Sequence, residues 1–477
     1  MDNGQPLPSA ALSRLSWGAA LAQALLVAAG LRHHLVWGES ARLPFLLPLL
    51  NAGEAACVVG FVLLASRSWW RGMALVERHP PPPGALLRRS LPMLAVAVLV
   101  PPFLSMDAID YVMRGRVLAL HGGNPYVQVA NDFPLDPFLA YGDAPWKAFP
   151  LPYGPVVANL QGAVAWLAHW GGGLPRPGEL IVAIVLFKLV FAACLVASAL
   201  VARSIAAVLH PRREDRWFVA ILWNPLLLNE CVANCHNEAV LLLCLLLALR
   251  AAVQLRTGTG VFALGVGVLT KIVPVVLAPL LFVHALRHRR IGAFALGAVA
   301  LGGLGAVFWW QFFRAEGSLQ FLQRQSAQSA SSLLWGAERA LGVVDAGSLL
   351  WPGRLGVVLL VGAGCWQLWR RPEPRVLLQQ AAVGLAALVA FGLTLFGPWY
   401  HVWWVPIALL LGRGYLHRAA CIASVAAPLG YLVWTGWRRL DEPHQWTTLC
   451  LCLLVPAIGG LLWREPPALI DGSAAAG

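Results

Sequence analysis

The sequence predicts an all-α polytopic membrane protein with about 12–14 transmembrane helices, each close to the length that crosses a bilayer. Of its 477 residues, 59% are hydrophobic and only 12% are charged, and the mean hydropathy is +0.68. Soluble domains contain about 45–50% apolar and about 25% charged residues. The composition therefore excludes a soluble globular, a disordered, a collagen-like and a coiled-coil protein.

The net charge of +13 arises from 35 basic and 22 acidic residues. The basic residues form short clusters between apolar runs, at Arg88-Arg89, Arg212-Arg213, Arg287 to Arg290 and Arg370-Arg371. Basic loops of membrane proteins stay on the cytoplasmic side. The charge thus indicates orientation rather than a nucleic-acid partner, and it predicts that both termini are cytoplasmic.

Apolar runs of about 20 residues predict the spans in order along the chain. We expect them at about 15–31, 43–65, 90–105, 180–205, 217–230, 238–255, 291–312, 353–369, 376–397, 402–412, 419–435 and 446–463. If the run 155–170 also crossed, Arg212 and Arg213 would lie outside, so we expect it to form an interfacial helix on the outer surface. Residues 259–286 begin and end inside, which predicts a hairpin of two short helices with Lys271 near its turn.

This topology brings ionisable residues from several segments to the outer face. They are Asp107 and Asp110 after the third span, His236 and Glu238 at an outer turn, Lys271 at the hairpin turn and His401 at the end of a later span. Ionisable residues at membrane depth are functional candidates by default. Their convergence on one face is a stronger signal than any one of them alone.

Each of these residues also has a purely structural interpretation. The aspartates could be solvated loop acids, and Glu238 could stabilise the N-terminus of the helix that it begins. Lys271 could extend to the interface, and His401 could belong to an aromatic belt within residues 399–404. Lys188 lies in the middle of a span and requires a carboxylate, a carbonyl or a lipid phosphate as its partner.

The longest loop, from Asp107 to about residue 155, is rich in turn residues. It contains Gly122-Gly123-Asn124-Pro125-Tyr126 and, later, Pro152-Tyr153-Gly154-Pro155. Such a density of turn residues predicts a fixed, non-repetitive backbone rather than a tether. Prolines that alternate with an aromatic ring suit a rigid wall beside a binding site, and aromatic rings and amides commonly line sugar sites.

Taken in order, these stretches resemble the membrane-embedded glycosyltransferases of the C superfamily, which use polyprenyl-phosphate sugars as donors. The closest likeness is to the actinobacterial polyprenol-phosphate-mannose-dependent mannosyltransferases that build lipomannan and phosphatidylinositol mannosides. The matching motifs are Asp110-Tyr111, Gly115-Arg116, Gly123 to Tyr126, Tyr153 to Pro155, Asn224 to Leu226, Asn234 to Glu238, Lys271 to Pro274 and Pro398 to Tyr400. The sequence departs from the family at Glu238, where an aspartate is usual, and at Lys188, where an arginine is frequent.

The resemblance implies an all-helical, GT-C-like bundle whose first outer loop holds a catalytic aspartate and interfacial helices. Together with the predicted topology, it divides the chain into an N-terminal helix pair (1–66), a cytoplasmic loop (67–90), a catalytic transmembrane module (91–312) with the outer loop 106–178, a second outer loop (313–352) and C-terminal helices (353–477). It further implies a bacterial plasma-membrane enzyme with an outward-facing active site.

The implied reaction transfers a sugar, by the resemblance mannose, from a polyprenyl phosphate to a cell-envelope glycolipid or glycan, with inversion. An aspartate serves as general base, and matching position favours Asp110 over Asp107. The candidates for the donor phosphate are Lys271, Lys188, Arg324 and His401. The candidates for the sugar or the acceptor are Tyr111, Asn124, Tyr126, Tyr153, His236, Asn237, Glu238 and Tyr400.

We expect no metal and no cofactor, because phosphate is already a good leaving group and the chain contains neither a Walker loop nor a dinucleotide fingerprint. Cys231 and Cys235 lack the second ligand pair that a zinc site needs. The expected partners are the donor, the acceptor and membrane lipids, without nucleic acid, and a monomer is compatible with the sequence. A lipid-linked sugar flippase or a noncatalytic scaffold are the alternatives, although no internal repeat suggests a transporter.

Overall fold

The computed structural model describes residues 8–39, 47–82, 84–142, 146–171, 176–314, 316, 318–319, 330–342, 348–432 and 442–463. Within these ranges the protein is helical throughout and has no β-strand, apart from isolated bridges of Ala330 and Ser331 to Leu395. The predicted all-α class is therefore confirmed.

Eleven helices form the first part of the chain that the structure describes. They are α1 (Pro8–Glu39), α2 (Leu47–Arg78), α3 (Ala85–Val98), α4 (Asp107–Ala119), α5 (Pro155–Trp170), α6 (Arg176–Leu209), α7 (Glu214–Leu222), α8 (Pro225–Leu228), α9 (Glu238–Val253), α10 (Thr257–Val268) and α11 (Ala278–Arg287). The long helices α1 and α2 pack along each other, and α6 and α9 form the centre of the main hydrophobic core.

The later helices are shorter and more often interrupted. They are α12 (Ile291–Phe308), α13 (Leu333–Ala340), α14 (Leu350–Arg370), α15 (Pro374–Ala387), α16 (Val405–Leu409), α17 (Tyr415–Ala426), α18 (Glu442–Leu449) and α19 (Val455–Leu462). A 3₁₀ segment, Pro398–Trp403, precedes α16, and π-turns continue α12 and α15 and join α18 to α19. The predicted span 402–412 thus contains only a five-residue α-helix.

Several long apolar helices identify a protein that crosses the membrane several times. Five helical stretches in the described ranges are long and apolar enough to cross, at Ser9–Arg32, Gly178–Leu209, Ile291–Phe313, Pro374–Gly392 and His444–Leu462. On the third of these, Ile291–Phe313, Leu296 and Val299 are each 71% exposed, and a soluble protein does not present such a surface to water. The multi-pass membrane class is confirmed, while the number of about 12–14 crossings stays a prediction.

The helix breaks have simple local causes. Helix α3 ends before Pro101-Pro102, because a proline disfavours α-helical geometry in the residue that precedes it. Asn224 separates α7 from α8, and its side chain accepts hydrogen bonds from the backbone N–H of Leu226 and Leu227, which caps the second helix. The predicted hairpin at 259–286 is two short helices, α10 and α11, with Lys271 in the break between them.

Helix α5 has the bounds predicted for the interfacial helix and packs against α4 and α6. Its other side exposes Trp166, Leu167 and Trp170. Gly115 permits the close contact with α4, because a Cβ atom there would lie 2.1 Å from the carbonyl oxygen of Gln161. The position of α5 along the membrane surface stays a prediction.

Candidate active site

Asp107 is the first residue of α4 and lies where several segments of the chain converge. The N-terminal turn of a helix favours a carboxylate because its N–H groups are unpaired. The backbone N–H of Asp107 donates to Ser105 Oγ at 3.2 Å. The side chain is 27% exposed, which leaves it accessible to a ligand, unlike most ionisable groups around it.

The two oxygens of the Asp107 carboxylate have different surroundings. Oδ2 accepts hydrogen bonds from the hydroxyls of Tyr111 and Tyr153, each at 3.4 Å. It also lies 3.8 Å from His236 Nε2. Oδ1 has no hydrogen-bond partner among the residues that the structure describes. The carboxylate is therefore oriented through one oxygen and open at the other.

His236 packs behind Asp107 and is fully buried. Its Nε2 lies 3.0 Å from Ser105 Oγ, and its Nδ1 lies 2.9 Å from Glu230 Oε2. Cys235 turns the chain with a φ of 63°, a left-handed conformation that costs a non-glycine residue about 1 kcal/mol. This turn allows the His236 N–H to donate to the Glu230 carbonyl at 2.9 Å, and it fixes the ring against Trp399.

Glu230 is a completely buried acid that the sequence analysis did not select. Its Oε2 accepts hydrogen bonds from Tyr431 Oη at 2.9 Å and from Asn234 Nδ2 at 3.2 Å, in addition to facing His236. The acid lies at the end of the predicted span 217–230. An acidic residue inside an apolar run is a default functional candidate, so the signal was available in the sequence.

Lys271 and Glu238 form a buried ion pair next to these residues, with 2.7 Å between Nζ and Oε1. Three aromatic rings surround the ammonium group. Their centroids lie 5.5 Å away in Tyr153, 4.8 Å in Tyr400 and 5.2 Å in Trp403, all within cation–π range. The cation is thus held at a fixed position inside an aromatic cage.

Tyr153 joins the two groups of residues, because its hydroxyl donates to Asp107 while its ring contacts Lys271. The loop that carries it is fastened to the break after α10. Gly154 N–H donates to Thr270 O at 2.8 Å, and Val156 N–H donates to Leu269 O at 3.0 Å. A Cβ atom on Gly154 would lie 2.1 Å from Leu269 O, so only glycine fits. We call Asp107, Tyr153, Glu230, His236, Glu238 and Lys271, with Tyr111, the Asp107 cluster.

Asp110, the aspartate that the sequence favoured, is not part of this cluster. Its Oδ2 accepts a hydrogen bond of 2.7 Å from Arg114 Nε, one helical turn further along α4. Arg114 in turn donates to the carbonyl oxygen of Phe149 at 2.9 Å. Arg114 thus links Asp110 of α4 to the outer loop. The aspartate beside His236 is Asp107.

Two of the predicted sugar-binding residues support the loop instead of lining the cluster. Asn124 donates to Phe312 O at 2.7 Å, and its Oδ1 accepts from the backbone N–H of Tyr126. The Tyr126 hydroxyl donates to Tyr153 O at 2.9 Å. Both residues thereby fix the position of Tyr153.

Asn237 has a different environment from these two loop residues. Its backbone N–H donates to Tyr111 Oη at 3.3 Å. Its side-chain amide is buried, and neither the oxygen nor the nitrogen has a hydrogen-bond partner in the described parts of the chain. Buried amides are nearly always hydrogen-bonded, so an unsatisfied one beside the Asp107 cluster indicates a place for a polar ligand or water.

Among the candidates for the phosphate, Lys271 alone belongs to the Asp107 cluster. Lys188 is fully buried, and its ammonium donates to Ala233 O at 2.7 Å and to Val100 O. His401 is buried beside Cys452 O, 2.7 Å from its Nε2, and its Nδ1 accepts from Trp404 Nε1 at 2.9 Å. Arg324 lies outside the described residues.

A network of ion pairs outside the cluster holds the outer loop. Arg116 Nε donates to Asp136 Oδ2 at 2.9 Å, and its Nη1 pairs with Glu179 of α6. His121 Nε2 lies 2.7 Å from the same Asp136 oxygen. Burial alone would raise the pKa of Asp136, but the hydrogen bonds from His121, Phe138 N–H and Arg116 outweigh it and hold this pKa below its ordinary value. We call Arg114, Arg116, Asp110, Asp136 and Glu179 the loop anchor.

A comparison with known families now gives these residues a context. A family profile described as alpha-(1->6)-mannopyranosyltransferase, N-terminal domain, matches residues 15–287, which is more than half of the chain and includes every member of the Asp107 cluster. No curated protein and no solved structure matches the chain significantly. The resemblance that the motifs suggested is confirmed. This membrane protein belongs to the alpha-(1->6)-mannopyranosyltransferase family, whose members are glycosyltransferase enzymes.

Proposed function

We propose that this membrane mannosyltransferase uses a polyprenyl-phosphate-mannose donor and a cell-envelope glycolipid or glycan acceptor, and that Asp107 is its general base. The observation that carries the proposal is the asymmetric carboxylate. Oδ2 is oriented by two tyrosine hydroxyls, while the partly exposed Oδ1 has no partner in the described chain and is open to an acceptor hydroxyl.

The proposed reaction is a single in-line displacement at C1 of the sugar. The acceptor oxygen forms the new bond to C1 while its proton passes to Asp107 Oδ1. The bond between C1 and the phosphate oxygen breaks, and the phosphate leaves with the electron pair. One carboxylate is sufficient for this step. A β-linked donor, as the resemblance implies, would give the α-linkage that the family description names.

His236 and Glu230 support the base in this proposal rather than touching the substrate. Glu230 lies 2.9 Å from Nδ1 of the imidazole, and Nε2 on the other side of the ring faces Ser105 and Asp107. A residue that fixes the orientation of a catalytic group reduces the reorganisation needed in the transition state. Asn237, with its unsatisfied buried amide, is proposed to bind a sugar hydroxyl.

Lys271 is proposed to stabilise the negative charge that develops on the leaving phosphate. One of its three N–H groups donates to Glu238, and the others face the aromatic rings around it. An ammonium group acts on phosphate as a point charge and does not need the bidentate geometry of arginine. The pair with Glu238 holds Lys271 at a fixed distance from Asp107 through Tyr153.

The cluster is proposed to face outward from a bacterial plasma membrane, with both termini cytoplasmic. Helix α9 begins at Glu238 in the cluster and carries Arg250 in its last turn, about 20 Å away at 1.5 Å per residue. Helix α10 begins after Arg256 and leads back to Lys271. The arginines therefore lie at the opposite helix ends, which the positive-inside rule assigns to the cytoplasm.

The test compares Asp107→Asn with Asp110→Asn, two identical chemical changes one helical turn apart. Purified protein is given polyprenyl-phosphate-mannose and a mannoside acceptor, and formation of the new glycosidic bond is measured. Asp107→Asn should lower kcat by at least about 10²-fold, the scale of a general base. Asp110→Asn should retain most of its turnover once its folding has been verified by thermal unfolding.

The reverse result, with Asp110→Asn inactive and Asp107→Asn active, would restore the assignment that the sequence favoured. Near-normal turnover in both variants would eliminate an aspartate base in α4 altogether. If nucleotide-mannose served as the donor and both variants kept their activity with it, the proposal of a polyprenyl-phosphate donor would be contradicted.

A further inference from the structure

A cavity lies in the C-terminal half of the protein, bordered by α15, α17 and α19. It has a volume of about 840 Å³. Most of its lining is apolar and includes Val383, Phe391, Leu416, Ala419, Leu453 and Pro456. None of the ionisable members of the Asp107 cluster lines it. The cavity is therefore separate from the proposed site of transfer.

Two arginines, Arg375 and Arg413, line one end of this cavity. Neither forms a hydrogen bond or an ion pair with any residue in the described ranges, and they are near enough to repel each other electrostatically. Glu373, the acid next to Arg375 along the chain, is exposed and does not pair with it. A guanidinium is always charged, so among the described residues this end of the cavity carries two positive charges with no acid paired to them.

The positions of the two arginines increase the local positive potential. Arg375 is in the first turn of α15, and Arg413 immediately precedes α17 at Tyr415–Ala426. Helix N-termini carry partial positive charge and favour anions, so a cation at such a position is electrostatically unfavourable. His210, the residue after α6, lies near Arg375, with 2.7 Å between its Nε2 and Leu410 O. These positions favour a negatively charged ligand at this end of the cavity.

We infer that this cavity binds an anionic phospholipid, with the phosphate between Arg375 and Arg413 and a hydrocarbon chain in the apolar part. Guanidinium groups bind phosphate oxygens through paired, charge-assisted hydrogen bonds. A soluble phosphate would leave the apolar lining without an occupant, whereas a lipid fills both parts. The arginines lie at the same helix ends as His210 and Arg213, so the headgroup lies in the leaflet opposite to the Asp107 cluster.

The cavity and the Asp107 cluster share one wall. In the 3₁₀ segment Pro398–Trp403, the side chains of Tyr400 and Trp403 contact Lys271, while His401 and the following Trp404 line the cavity. The bound lipid would therefore support the segment from the side that faces away from the active site. The binding itself does not depend on the proposed transfer reaction and is tested without it.

The test uses the full-length protein, purified and stripped of lipid in detergent. Binding of phosphatidylglycerol is compared with that of phosphatidylcholine with the same acyl chains by native mass spectrometry, and glycerol 3-phosphate is added as a headgroup competitor. Arg375→Gln with Arg413→Gln should lower the affinity for phosphatidylglycerol by at least about tenfold, since charge-assisted hydrogen bonds are lost. The matched control, Arg289→Gln with Arg290→Gln, removes the same charge from an exposed pair and should bind as the wild type does.

A third variant, Val383→Trp, fills the apolar part and leaves both arginines in place. It should lose phosphatidylglycerol binding while keeping its thermal unfolding midpoint. Equal affinity for the two lipids, or equal losses in the arginine variant and its control, would overturn the inference. Full competition by glycerol 3-phosphate, or unchanged binding in Val383→Trp, would show that no hydrocarbon chain enters the cavity.

Discussion

The loop anchor and the Asp107 cluster are neighbouring groups of charged residues that differ in how their aspartates are paired. In the loop anchor, Asp110, Asp136 and Glu179 each face an arginine within hydrogen-bond distance. In the cluster, Asp107 is held by two tyrosine hydroxyls and a histidine. Arginine neutralises a carboxylate in fixed geometry, whereas neutral donors orient it without cancelling its charge. The contrast supports our proposal that the anchor builds structure and that Asp107 keeps the reactivity of a general base.

The largest difference between the two regions should appear when one glutamate in each, Glu230 or Glu179, loses its charge. We expect Glu230→Gln to lower kcat by about tenfold to 100-fold, because hydrogen bonds between charged groups contribute about 1.5–3 kcal/mol. The donor KM should stay unchanged, since Glu230 positions His236 and does not reach the substrate. Steady-state kinetics with the polyprenyl-phosphate donor measures both parameters.

Glu179→Gln is the matched control in the loop anchor, because it makes the same substitution at a glutamate that pairs with Arg116. It should lower the thermal unfolding midpoint and leave kcat close to that of the wild type. If the two variants lost kcat equally, the distinction between anchor and cluster would have no functional basis.

Substitution of Lys271, the cation of the cluster, should have a smaller effect, and it should change the donor KM. Lys271→Met should raise the donor KM by about tenfold, the scale of one lost charge-assisted hydrogen bond, while Lys271→Arg should recover part of it. Lys147→Met serves as the control, because its ammonium donates to Leu139 O in the outer loop. An unchanged donor KM in Lys271→Met would remove the phosphate role that we propose for this residue.

Breaking the loop anchor should reduce stability more than activity. Arg116 is almost completely buried between Asp136 and Glu179. Its guanidinium carbon also lies 4.3 Å from the centroid of the Phe138 ring. Removing one partner of a buried pair typically costs about 3 kcal/mol. We expect Arg116→Met to show a lower unfolding midpoint and faster proteolysis of the outer loop. Wild-type proteolysis in this variant would mean that other contacts hold the loop.

The sequence was sufficient to predict which segments meet but not which side chains make contact. The arginine clusters and apolar runs placed Asp107, His236, Glu238 and Lys271 on one face, and the structure brings these four together. Our proposal of Asp107 over Asp110 depends on Arg114, whose guanidinium reaches both Asp110 and the distant Phe149 carbonyl. A tertiary contact of that kind has no signature in local spacing.

Two other residues illustrate the same limit. The sequence indicated that Lys188 needs a partner, but not that the partners are the carbonyls of Val100 and Ala233, which lie 88 and 45 residues away along the chain. Glu230 was overlooked because it ends an apolar run and resembles a boundary residue. Its burial arises from the π-turn Asn229–Ala233, which turns the acid into the core toward His236.

The smallest expected effect is a loss of stability of the loop anchor at low pH. The folded-state pKa of Asp136 is held below its ordinary value, mainly by hydrogen bonds from His121, Phe138 N–H and Arg116 that outweigh burial. Its stabilising contribution is therefore present above the unfolded pKa of about 3.9 and is lost as the pH falls through the lower folded value. Limited proteolysis of the outer loop should become faster below about pH 4 in the wild type. Asp136→Asn should be cut faster than the wild type at neutral pH and should lose this dependence, whereas an unchanged acid response in that variant would assign it to another carboxylate.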